Sequence, residues 1–215
     1  MAEETYYYAG LIVTSIGVEA IEGKDGKVKF SEASDNGTKA TFLKEIKMIS
    51  DPKKVDEGKR EFEATEVSLD EAKSIIAKGF GGTDVTDSVT CTPLFIVHGF
   101  NVEPSATLSY PYGGFKEDMA HYPVPVIWAS QGSTLLYLED QNEDAIAAGK
   151  AMEALVNSIP NEAFPRKSLL MHSMGNHAIF NGACADKAPD ASFENIFMVA
   201  AVSESTCILF NTVAK

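Results

Sequence analysis

The feature that most constrains the fold is a series of four short, mostly apolar runs in the second half of the chain. Such runs are typical of strands that are covered on both faces of a sheet. Helical patterns lie between the second run and the third and after the third, so parallel strands joined by right-handed crossovers are expected. The runs are residues 93–97, 124–129, 168–171 and 195–201.

The spacing of apolar residues predicts the helices between these strands. One helix is expected over about 140–158, because apolar side chains recur there at intervals of three and four. A second helix is expected to follow Ser173. The apolar positions of the first helix are Ala145, Ala148, Met152, Leu155 and Ile159.

Residues 1–90 have a different sequence pattern, which predicts antiparallel β structure with one helix. Strands are predicted at 6–13 and 27–30, and the Asp-Gly and Asn-Gly pairs at 25–26 and 36–37 predict hairpins. Ser68 and Glu71 form a capping box that begins a helix ending near residue 78. We expect residues 1–90 to supply edge strands to the same domain, with residues 91–215 as its α/β core.

Charge and composition limit the partners of the chain. The net charge of −13 argues against nucleic acid and anionic membrane surfaces, which would repel the protein. Neither a signal sequence nor an apolar run of about 18 residues is seen, so a cytoplasmic protein without a membrane span is expected. The three cysteines are widely spaced and are expected to be reduced. No cofactor and no metal site are predicted.

Ser173 lies where the third apolar run meets a helical pattern, which is how a nucleophilic serine is mounted on a sharp turn. There its hydroxyl stands above the sheet, and the amide of Met174 points into the site from the start of the helix. Gly175 lets that helix begin close to the strand. The alternative is that Ser173 is only an N-cap, a common role for serine at such junctions.

A second turn, at His98 and Gly99, ends the first apolar run. Glycine there lets the backbone fold back over the sheet edge, so that the amide of Phe100 becomes a second donor to a developing oxyanion. Two such turns at the carboxyl ends of separate strands indicate a shared site.

Three motifs together resemble the α/β-hydrolase superfamily, and in particular an uncharacterised branch with HGFN and (A)HSMGN motifs. They are HGFN at 98–101, WASQG at 128–132 and MHSMGN at 171–176. The resemblance covers about residues 92–206. It implies a three-layer α/β fold with a mostly parallel sheet and helices on both faces. It also implies Ser173 as nucleophile, the amides of Phe100 and Met174 as oxyanion hole, and a structural role for His98.

The chain departs from this pattern around the catalytic triad. Met171 stands where the elbow motif begins with glycine or alanine, and no histidine follows His177. In the superfamily the acid and then the base come after the serine, on later loops. Glu204 is the candidate to stand in as acid, and His121, in the loop expected at 116–123, is the candidate base. The core is therefore expected to lack its last strand or strands, with an incomplete triad.

These features favour a serine hydrolase of the esterase or acyl-hydrolase type, acting on a small-molecule acyl substrate. The alternative is an inactive member of the same fold that serves as a binding or scaffold protein. A third possibility is that another chain supplies the histidine in an oligomer. The substrate and the oligomeric state are left open by the sequence.

Overall fold

The computed structural model places ten strands in a single sheet. It describes residues 4–8, 10–14, 16–20, 22–23, 25, 27–35, 41–50, 62–78, 92–99, 121–128, 164–173, 175–176 and 193–200. The strands are β1 (Glu4–Tyr8), β2 (Ile12–Thr14), β3 (Ile16–Ala20), β4 (Lys27–Asp35), β5 (Thr41–Ser50), β6 (Phe62–Val67), β7 (Thr92–Val97), β8 (His121–Ile127), β9 (Ser168–His172) and β10 (Asn195–Val199). One helix is described, α1 (Leu69–Lys78).

The sheet has a parallel half and an antiparallel half that meet at β2. Its order is β10-β9-β7-β8-β2-β5-β6-β4-β3, and β1 also pairs with β5. All pairs from β10 to β2 are parallel. The pairs among β1 to β6 are antiparallel. The parallel half contains the four strands that the apolar runs predict, and the strands before residue 68 extend the same sheet.

Three prolines in β7 and β8 fit the sheet because of where each strand is paired. Proline cannot donate a ladder hydrogen bond, so it is tolerated where one side of the strand lacks a neighbour. Pro93 precedes the stretch of β7 that is in register with β9, which begins at Leu94. Pro123 and Pro125 precede the part of β8 that pairs with β2. Both strands thus keep two neighbours near their carboxyl ends, where the site lies.

The core lies on both faces of the sheet, because alternate residues of a strand point to opposite faces. On one face, α1 packs Ala72 and Ile76 into a cluster that contains Phe95 and Trp128. On the other face a smaller cluster contains Tyr8, Ile12, Leu43, Ile46, Ala64 and Ile127. The central strands are therefore covered on both sides, as the apolar runs predict.

The helix predicted after the capping box is confirmed, but only half of the box forms. The amide of Glu71 donates to the Ser68 hydroxyl over 3.2 Å, as expected of an N-cap. The Glu71 carboxylate turns instead to Lys44 on β5, with 2.6 Å between Oε1 and Nζ. This ion pair raises the pKa of Lys44. The side chain that would close the box joins the helix to the sheet.

Two predictions for the amino-terminal strands are wrong. The expected strand at 6–13 is two strands, β1 and β2, which pair with successive parts of β5. The break lies opposite Glu45, whose φ of 54° marks a bulge in β5. The hairpin expected at Asn36 and Gly37 does not pair β4 with β5, because β6 lies between them in the sheet.

Two predictions for the parallel half are also corrected. His121 is the first residue of β8 and not part of a loop, because the strand pairs with β7 from Thr92 onward. The fourth run was expected to be a covered strand, but Phe197, Met198 and Val199 are 46%, 47% and 44% exposed. β10 is the last strand in the sheet order, so among the described residues it has a neighbour on one side only. The two helices predicted over 140–158 and after Ser173 fall outside the described residues, apart from residues 175–176.

Candidate active site

The carboxyl ends of three adjacent parallel strands form the candidate site. His98 and Gly99 follow β7, Ser173 follows β9 and Ala200 follows β10. The register sets Val97 beside Met171 and Met171 beside Met198, so the three strands end at the same edge. Ligand sites of open α/β sheets lie at this edge.

Ser173 has a left-handed backbone conformation. Its φ is 50°, which non-glycine residues rarely adopt and which costs roughly 1–3 kcal/mol. The amide of Ser173 still donates to the Val199 carbonyl over 2.9 Å, so the turn begins directly at the end of the ladder. Helical conformation begins by Gly175. An N-cap serine has a β-region backbone, and the φ of Ser173 differs from it.

Two glycines let the turn after β7 and the turn after β9 touch. A Cβ placed on Gly99 would lie 2.9 Å from Cβ of Ser173 and 3.0 Å from Nδ1 of His172. A Cβ placed on Gly175 would lie 2.5 Å from the carbonyl oxygen of His98. Each turn therefore occupies the space that a side chain on the other would need, and the His98 turn is held beside Ser173.

His98 is a buried, neutral histidine that fixes its own turn. Its Nδ1 lies 2.8 Å from the Gly99 carbonyl, which can only accept, so Nδ1 carries the proton. Its Nε2 accepts from the backbone amide of Trp128 over 3.4 Å. Burial lowers the pKa of His98 to about 4. Both ring nitrogens are engaged inside the protein, so His98 is arranged as a structural group.

Trp128 completes this arrangement from the end of β8. Its indole ring stacks on the His98 ring, with 5.2 Å between the ring centroids and 14° between the planes. The indole Nε1 donates to the His98 carbonyl over 3.0 Å. The same carbonyl is the atom that Gly175 approaches, so the ends of β7, β8 and β9 are joined at one point.

The side chains of Met171 and His172 point away from each other at the end of β9. Met171 is completely buried and belongs to the core cluster of the α1 face. It fills the core where the elbow motif has a small residue. His172 is exposed. The alternation of the strand places the histidine on the opposite face from Met171.

The structure does not bring His121 to Ser173. His121 is paired with Thr92 at the amino end of β7. Ser173 lies beyond the other end of that strand, two residues after the partner of Val97. At a rise of about 3.3 Å per residue the two are roughly 20 Å apart along the strands. Four other residues considered in the sequence lie outside the described residues: Phe100, Met174, His177 and Glu204.

The described part of the chain contains no group of three or more His, Cys, Asp or Glu side chains arranged to hold a metal ion. Within the same residues, no helix has the length and apolar character needed to cross a membrane.

Sequence reasoning assigned no role to two residues that organise this edge. Trp128 was noted only as part of a motif, although the three contacts it makes to His98 tie two strands together. Asn176 is completely buried, and its Nδ2 shares two hydrogens among three carbonyls around Ser173. Only their positions in the sequence could have indicated these roles, since each residue follows a strand that ends at the site.

A sheet whose parallel half carries a strained serine turn next to a His-Gly turn defines an α/β-hydrolase-like protein. The family model described as "Alpha/beta hydrolase of unknown function" (DUF900) matches residues 83–198, more than half of the chain. The chain belongs to this family, which confirms the predicted fold class and the uncharacterised branch. No curated protein and no solved structure matches the chain.

Proposed function

We propose that this protein is a serine hydrolase that cleaves an ester or a similar acyl bond, with Ser173 as the nucleophile. The observation that carries the proposal is the φ of 50° at Ser173, between the end of β9 and the start of a helix. Backbone strain of this kind is costly and occurs at functional sites, where the rest of the fold holds it in place. In α/β hydrolases the same strained turn presents the nucleophile.

In the proposed reaction, the Ser173 hydroxyl oxygen adds to the carbonyl carbon of the substrate. The carbonyl oxygen takes the negative charge, and the amides of Phe100 and Met174 are proposed to donate to it. Collapse of this intermediate breaks the bond to the leaving alcohol, whose oxygen takes up the proton lost from the Ser173 hydroxyl, and leaves an acyl group on Ser173. Water then attacks the acyl group, releases the acid and restores the serine.

Contacts between the two turns support a role for the His98 turn in this step. Gly99 packs against Ser173, so the described end of the His98 turn lies beside the proposed nucleophile. The neutral His98 ring donates to the Gly99 carbonyl and the Trp128 indole donates to the His98 carbonyl, so the backbone of these two residues is held in place. Donors that are fixed before the reaction stabilise a developing oxyanion without reorganisation.

The proposal assigns neither the acid nor the base. His98 has both ring nitrogens engaged, and His121 lies at the opposite edge of the sheet. These two placements also favour the alternative function, an inactive hydrolase fold that binds a ligand or a partner. A histidine from another chain of an oligomer is the third possibility for the base. The labelling experiment tests it when it is repeated at several protein concentrations, because labelling would then increase as the chains associate.

A fluorophosphonate probe with a reporter group tests the proposal, because it phosphonylates only an activated serine. We expect one adduct on the wild-type protein by intact mass, and none on Ser173→Ala. Ser168→Ala is the matched control, since Ser168 begins the same strand at the far edge. The control should be labelled like the wild type. An unlabelled wild type, or equal labelling of Ser173→Ala, would favour the inactive alternative.

A further inference from the structure

Asn176 is the polar side chain most closely tied to the Ser173 turn among the described residues. It is completely buried, and its Nδ2 lies 3.2 Å from the Met171 carbonyl, 3.0 Å from that of Ser173 and 3.3 Å from that of Val199. All three partners are acceptors, so the orientation of the amide is fixed. One side chain thus holds carbonyls from β9, from the turn and from β10.

These carbonyls lie where the ladder ends and the backbone becomes left-handed. Ser173 and Ala200 have φ values of 50° and 46°, and they follow paired residues at the ends of neighbouring strands. Beyond that point the strands cannot continue their regular hydrogen bonds. The Val199 carbonyl also accepts from the backbone amide of Ser173, and the Ser173 carbonyl from the backbone amide of Asn176, so the Asn176 side chain adds a further donor where the regular ladder stops.

The other half of the Asn176 amide is left unsatisfied. Its Oδ1 is buried and, among the residues that the structure describes, has no hydrogen-bond partner. An asparagine that keeps an orphaned acceptor in the interior is placed for its donors, because the acceptor itself gains nothing there. The amide of Ser173 bonds to the same Val199 carbonyl, so Asn176 and the turn share one network.

We propose that Asn176 is a positioning residue for Ser173. Its amide holds the left-handed turn in place and so keeps the hydroxyl aligned with the substrate carbonyl. Asn176 acts only through the placement of Ser173 and does not contact the reacting atoms. This inference rests on the proposed hydrolase function and adds to it a link between β10 and the nucleophile.

The test compares the labelling rate of Asn176→Leu with that of the wild type. Leucine has a similar volume and removes both the donors and the orphaned acceptor. Rates are measured with the fluorophosphonate probe well below the unfolding temperature and are divided by the folded fraction. We expect the second-order rate constant to fall about 100-fold, as for a displacement of about 1 Å at a reacting group. A purely structural role would lower the folded fraction but leave this normalised rate unchanged.

Asn195→Leu is the matched control. Asn195 donates to the Ser168 hydroxyl over 3.3 Å, between the same two strands but at their amino ends. We expect its normalised labelling rate to stay within twofold of the wild type. If Asn176→Leu does not fold, Asn176→Ser decides, because serine keeps one donor. Its normalised rate should fall below that of the wild type, and a normalised rate equal to that of the wild type would overturn the inference.

Hydrogen exchange at Ser173 gives a second readout that does not depend on the reaction. The Ser173 amide should exchange about tenfold faster in Asn176→Leu, while the Leu169 amide is unchanged. Folded Asn176 variants that label at the wild-type rate, or that leave Ser173 exchange unaltered, would overturn the inference alone. A wild type that is not labelled would overturn the proposed function and this inference with it.

Discussion

The neutral state of His98 makes the stability of the protein depend on pH in a defined window. Burial lowers the pKa of His98 from its ordinary 6.5 to about 4. Between these two values the unfolded chain binds a proton at His98 that the folded chain does not bind. Stability therefore rises with pH across this window, and it falls as the pH is lowered from 6.5 toward 4.

The size of the effect follows from the gap between the two pKa values. One pKa unit corresponds to about 1.36 kcal/mol, so a gap of roughly 2.5 gives about 3 kcal/mol. This is a large share of the roughly 5–15 kcal/mol by which domains are stable. Above pH 6.5 His98 is neutral in both the folded and the unfolded protein, and below pH 4 it is protonated in both. Stability therefore depends on the titration of His98 only between these two pH values.

Urea unfolding at several pH values between 4 and 7 measures the effect, with His98→Asn as the reference. Asparagine does not titrate and can donate to the Gly99 carbonyl in place of Nδ1. The stability of the wild type minus that of His98→Asn should increase by about 3 kcal/mol from pH 4 to pH 7. The subtraction cancels the contribution of the carboxylates to the pH dependence of stability, because they titrate in both proteins. A difference that is constant over this range would refute the argument from burial.

Two further predictions concern the residues on either side of Ser173. Gly175→Ala should destabilise the protein by about 1–3 kcal/mol or more in urea unfolding, because the new Cβ would lie 2.5 Å from the His98 carbonyl oxygen. Unchanged stability would show that the two turns can separate without cost. Met171→Ala should cost about 2–5 kcal/mol, because a completely buried side chain is lost. Equal or greater stability would mean that Met171 crowds the turn and does not support it.

The parallel half could be predicted from sequence because its signals are local. Continuous apolar runs mark β7 and β8, and the turns at Gly99 and Gly175 mark the site at the carboxyl ends of β7 and β9. Burial of both faces leaves few other structures open to such segments. The same reasoning overestimated the burial of β10, since an apolar run does not reveal whether a strand has one neighbour or two.

The antiparallel half was harder to predict because its pairing depends on distant residues. An Asn-Gly pair is a strong local hairpin signal, yet β6 arrives later in the chain and takes the place beside both β4 and β5. The bulge at Glu45 divides the pairing of β5 between two strands, and no glycine stands at this position to indicate a bulge in the sequence. At the site, the sequence indicated Ser173 but not the network of Asn176 and Trp128, whose roles arise only when three strand ends meet.

The central position of β2 has a consequence for the order of folding. β2 joins the two halves through contacts such as the Thr14 hydroxyl to the Ile127 carbonyl, which are separated by 113 residues in sequence. Contacts of such long range form slowly, since a large loop must close before they are gained. During synthesis, β2 must wait with one edge unpaired until β8 has emerged. An unpaired edge of this kind is a site for aggregation, and this interval is when the nascent chain most needs protection.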